Sequence, residues 1–144
     1  MKAKKIEMYC SDKTFQAWDH LVSHSHFLLR CPATGSQSEN IDIVFNYTKY
    51  IETSTVLRGL ELYISKDRKE LKAVTNRTGI RFEYDEKLFV IKSEQRKFFF
   101  VAHSVLIHTN TLEMFESPLQ AILGIPESAS EKYADKLISA CLLI

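Results

Sequence analysis

The chain has 144 residues, 45% of them apolar, and nineteen Lys and Arg against eighteen Asp and Glu leave a net charge of +1. That size and apolar share support a single domain, 1–144, with a core of its own, and the near-zero charge argues against the long-range basic field of a general nucleic-acid binder. Three cysteines, Cys10, Cys31 and Cys141, are odd in number and form no CxxC pair, which argues against a disulfide framework or zinc ribbon and fits a reducing, cytoplasmic location.

In chain order, residues 4–9 predict a short strand. Ser11 and Asp12 then offer an N-cap for a helix that sets Phe15, Trp18, Leu21 and Val22 on one face. His26 to Cys31 predicts a second strand, stopped by Pro32 before the polar loop 33–40. The run 41–51 alternates, with Ile41, Ile43, Phe45, Tyr47 and Ile51 on one side and Asp42, Asn46, Thr48 and Glu52 on a face suited to water or a polar partner. Further strands are predicted at 56–65, 70–75, 80–84, 88–92 and 98–108, joined by turns at 76–79, 85–87 and 93–97. Near the C-terminus, Ser117 and Pro118 open a short helix over 119–123. A capping box at 128–131 then starts a helix reaching about residue 142, with Tyr133, Leu137, Ile138, Cys141 and Leu142 as its apolar stripe. The predicted fold is α+β: an antiparallel meander of about six to eight strands, with an N-terminal helix and one or two C-terminal helices packed on one face. No apolar run has signal-peptide or transmembrane length, which predicts a chain without a membrane partner.

His20, His24 and His26 form the densest group of possible metal ligands, and the first two would lie one turn apart on the predicted helix. They lack the glutamate of a zincin motif, and histidines ending a helix commonly serve its negative pole, so no metal and no cofactor is expected. Nucleophile pairs such as Cys31 with His26, or Ser104 with His103 or His108, rest on sequence proximity alone. His103 shares an alternating face with Phe99, Val101, Val105 and Ile107, which predicts a histidine hydrogen-bonded within the sheet. The four glycines are isolated, so no phosphate-cradling loop can form. Lys66, Arg68, Lys69 and Lys72 are interrupted by Asp67 and Glu70, and Arg96 and Lys97 follow Glu94, as in solvated turns.

Six Tyr and nine Phe remain to be explained. With scattered charge they suit the centre of a protein interface, and the expected contact residues are Tyr47, Tyr50, Tyr63, Arg68, Glu83 and Asp85. In size and profile the chain resembles the immunity proteins that neutralise bacterial toxins, which implies a non-enzymatic inhibitor acting on another protein by direct contact. Two alternatives stand beside it. One is an apolar-ligand carrier with a cavity lined by Phe45, Leu62, Phe82 and Phe100; the other is a His-dependent or metal-dependent hydrolase.

Overall fold

The computed structural model describes residues 3–83, 85–119 and 136–144. Its strands are β1 (Lys4–Ile6), β2 (Met8–Leu21), β3 (His26–Cys31), β4 (Asn40–Asn46), β5 (Tyr50–Ile51), β6 (Val56–Ile64), β7 (Lys87–Ser93), β8 (Arg96–Ala102), β9 (Ser104–Asn110) and β10 (Leu137–Leu143). One helix, α1 (Arg68–Thr78), is fully contained in these residues. The strands form a single mixed sheet in the order β1-β10-β9-β4-β3-β2-β6-β7-β8-β5, parallel between β1 and β10. The α+β meander with helices at both ends is therefore incorrect. This is a predominantly β protein, in which β2-β3-β4 and β6-β7-β8 keep meander order.

The expected N-terminal helix is the second half of β2, and a bulge at Trp18 accounts for its helix-like spacing. Tyr9 and Phe15 pair with Leu62 and Leu57 on the core side, and the ladder shifts between Ser11 and Thr14, opposite Gly59. Gly59 has φ +73, a left-handed conformation that glycine accepts without a Cβ clash. The ladder to β3 shifts again between Ala17 and Asp19. Beyond that shift Trp18 and Leu21 pack on the opposite face, with Leu28 and Val44. The first bulge changes the phase of β6, where Leu57 and Leu60 both face the core, and the second changes that of β2, setting Trp18 and Leu21, three residues apart, on one face.

The segment expected as a strand at 70–75 and a turn at 76–79 is α1. Asp67 caps it by accepting the Lys69 N–H at 2.8 Å, and Gly79, with φ 75, closes it by donating its N–H to the Thr75 carbonyl. Residues 80–83 are not a strand. At the C-terminus, Leu137, Ile138, Cys141 and Leu142 belong to β10, where Cys141 packs against the core. A short apolar run fits either period, and the vacant edge of β9 settles it as a strand. Ser117 Oγ does accept the Leu119 N–H at 3.2 Å, while the rest of the predicted helix over 119–123 and the capping box at 128–131 lie outside the described residues.

The sheet curls on itself because both ends of its order continue internal strands. β5 follows β4 after a bend at Tyr47, β1 runs into β2, and β8 passes into β9 at His103. Phe45 on β4 and Phe100 on β8 stack at 4.3 Å between ring centroids, although five ladder steps in a flat sheet would separate them by roughly 24 Å. Phe27, Phe45, Phe89 and Phe100 fill the interior with Leu29, Ile43, Leu62 and Ile107. The phase flips at His103: Phe99 and Val101 face outward, whereas Val105 and Ile107 face the core. The expected common face of these residues with His103 is broken there.

Both outer faces carry a cover. α1 lays Leu71 and Val74 on Val90 and Val101, with Tyr50, Tyr63, Phe82 and Phe99 around them. On the β3-β4-β9 side, the segment 111–119 crosses a row of paired positions, Arg30, Asp42 and His108. Arg30 is fully buried, grips Asp42 through Nε and Nη2 at 2.7 and 2.8 Å, and donates from Nη1 to the Glu116 carbonyl at 3.0 Å. Asn110 Nδ2 donates to Asp42 at 2.8 Å, Asn40 Nδ2 donates to the Leu112 carbonyl at 2.6 Å, and the Trp18 ring lies 5.3 Å from the guanidinium. Asp42 and Thr48, expected to meet water or a polar partner, are buried.

Candidate functional site

Histidines and one tyrosine meet where the β2–β3 hairpin touches the β4–β5 bend. The hairpin turns through residues 22–25, with the Ser25 N–H donating to the Val22 carbonyl at 3.1 Å. His24 and Ser25 adopt φ 62 and 47, and Tyr47 across from them adopts φ 53. Left-handed backbone at non-glycine residues costs energy and persists only where the surroundings impose it. Here they do: the Thr48 N–H donates to the Ser25 carbonyl at 2.8 Å, and the His103 N–H donates to the Asn46 carbonyl at 3.0 Å.

Tyr47 is the hub of the corner. Its ring centroid lies 5.1 Å from His26, 5.6 Å from His24 and 5.5 Å from His103, and the residue is 48% exposed. His26 is buried beneath it. Its Nδ1 donates to Asn46 Oδ1 at 2.8 Å, while Asn46 Nδ2 donates to Ser104 Oγ at 3.1 Å, which fixes the tautomer and leaves Nε2 as an acceptor. That Nε2 is buried and has no hydrogen-bond partner among the described residues. Burial holds the His26 pKa below the ordinary 6.5, with His24 and His20 adding to the effect and the Asn46 bond opposing it. His20 lies on the inner side of the barrel mouth, 6.3 Å from Phe27, with Nε2 3.2 Å from Ser25 Oγ.

His20 and His24 therefore do not share a helical face; they flank a hairpin tip. Among the described residues, no three His, Cys, Asp or Glu side chains are arranged to hold a metal ion. Cys31 Sγ is in the barrel core while His26 is on the outer face, and Ser104 bonds Asn46, so none of the nucleophile pairs is assembled.

The other expected contact residues lie elsewhere. Tyr50 and Tyr63 are half-buried beside α1: the Tyr50 hydroxyl donates to Glu52 at 2.6 Å, a bond that raises its pKa, and Lys92 Nζ sits 5.6 Å from the Tyr63 ring. Arg68 is exposed in the first turn of α1, and Glu83 and Asp85 are exposed in the loop that follows. Of the proposed cavity residues, Phe45, Leu62 and Phe100 pack inside the barrel, whereas Phe82 is outside it with α1.

The fold and site define a closed-sheet β protein with an aromatic and histidine corner. Comparison with protein-family models, with curated proteins and with solved structures finds no match for this chain. Among the described residues no helix is long and apolar enough to cross a membrane.

Proposed function

We propose that this chain is a non-enzymatic protein-binding module of the reducing cytoplasm, an inhibitor of the immunity type, that engages its partner through the corner around Tyr47. Tyr47 itself carries the reading: a large aromatic ring stands 48% exposed on a left-handed backbone, while Phe27 and Phe45 of the adjoining strands are buried in the core. Val22, 82% exposed at the adjacent hairpin tip, extends the apolar contact. A rigid tyrosine surrounded by polar groups suits the centre of an interface, because it offers contact area at little entropic cost. Unpaired thiols at Cys10, Cys31 and Cys141 fit the compartment. The carrier reading has less support, since Phe45 and Phe100 stack in the space a ligand would fill.

A photo-crosslinking amino acid placed at position 47, and as a control at exposed Glu61, tests this in cells. The expected result is a discrete protein adduct from position 47 alone. Equal adducts from both positions, or a small molecule retained by the purified protein in native mass spectrometry, would overturn it.

A further inference from the structure

We propose that the outer face of α1 is a second docking surface, for an acidic segment of a partner protein. It rests on the protein-binding reading of the chain but uses a surface separate from Tyr47. In the sequence, Lys66, Arg68, Lys69 and Lys72 look balanced by Asp67 and Glu70. Folding draws one of the two acids away: half-buried Glu70 is held by Ser65 Oγ at 2.9 Å and Lys97 Nζ at 3.0 Å, while Asp67 stays exposed at the N-cap, its Oδ1 accepting the Lys69 N–H. The four cations stay exposed, and none has an ion-pair partner among the described residues.

Arg68 with Lys72, and Lys69 with Lys72, stand one helical turn apart, so like charges repel along this face. Exposed Ala73 and Asn76 continue the Lys69–Lys72 stripe without charge and leave room for a chain to lie against it. An acidic segment relieves the repulsion and is steered by it. A nucleic acid fits less well. The patch spans about two helical turns, roughly 11 Å, on a chain of net charge +1, and the rings that could stack bases are shielded: Arg77 lies over Phe99 and Lys92 over Tyr63.

The test is NMR titration of the full ¹⁵N-labelled chain with an octaglutamate peptide and, in parallel, a 12-base-pair DNA duplex. The peptide should shift the amides of residues 66–76 and bind about tenfold more weakly to K69E/K72E. The K4E/K5E control, with the same change in net charge, should bind like the parent. Shifts centred elsewhere, equal losses in both variants, or tighter binding of the duplex would overturn the proposal. A failed titration with the position-47 adduct intact removes this surface alone, whereas a positive titration without that adduct removes the Tyr47 reading and leaves this surface standing.

Discussion

Helix α1 and the segment 111–119 cover two outer faces of one sheet, yet the surfaces beneath them differ in kind. Under α1 the contacts are apolar, with Leu71 and Val74 on Val90 and Val101. Under 111–119 lie a buried ion pair, two asparagines and a histidine, with Leu119 on Leu28 and Val44 as the apolar part. Backbone hydrogen bonding explains the contrast. A helix satisfies its own interior N–H and C=O groups, so apolar contact is enough to attach it. An irregular segment brings unpaired carbonyls to the surface it covers, and the sheet must supply donors to meet them. Arg30 and Asn40 are those donors.

The largest expected effect breaks the polar cover. Arg30→Met leaves Asp42 buried without its cation and should cost about 3–5 kcal/mol in urea unfolding, with R30M/D42L losing less than the single variant. Amide exchange should accelerate at 112–117 and stay unchanged in α1. A loss below about 1 kcal/mol would show that the ion pair does not hold this cover. The matching change on the other side, Val74→Ala, removes buried apolar volume and should cost about 1–3 kcal/mol, with faster exchange confined to 68–78.

A pH series sharpens the comparison, because His108 lies under the polar cover. Burial lowers its pKa from the ordinary 6.5; the Asp42 charge opposes that shift and Arg30 reinforces it. His26 is lowered as well. The unfolded chain therefore takes up these protons first, so their contribution is complete above pH 6.5 and is lost as pH falls from there through the folded-state values. Each histidine gives a slope of at most about 1.4 kcal/mol per pH unit. Urea midpoints at pH 7.5 and 5.0 should differ less in His108→Gln than in the parent, and an equal loss in both would clear His108 of the role. The smallest effect is expected from Asp67→Ala, which removes the α1 cap at a cost of about 1 kcal/mol by thermal melting.

Strands bounded by clear polar turns were legible in the sequence: His26–Cys31, the Val56 strand and the Leu88 strand lie where their residues predict, the second in spite of its change of phase at Gly59. Errors fell where the phase changes. The bulge at Trp18 mimicked a helix, and Tyr47 and His103 each interrupt a run that reads as one strand. α1 was hidden by its charges, although Asp67 and Gly79 are cap residues of a helix of that length and Glu70 is an acid in its first turn. For the site, Tyr47 and the three clustered histidines were visible as residue types, but their meeting across two segments was not. The Arg30 row had one signal that went unused: an arginine inside a strand otherwise too apolar to face water, with an aspartate at a similar place in the next strand.

The parallel pairing of β1 with β10 sets Lys4 beside Cys141. Such a contact closes almost the entire chain into one loop, and nothing local can form it early. Strands β4 and β9 likewise join residues from distant parts of the sequence. Loop-closure entropy must be met before these ladders return any energy, which places the protein among slow folders, in the millisecond-to-second range. Until they close, the apolar residues of β9 and the unpaired edge of β10 stand open to other chains, so the interval before β1 meets β10 is when this protein is most exposed to aggregation.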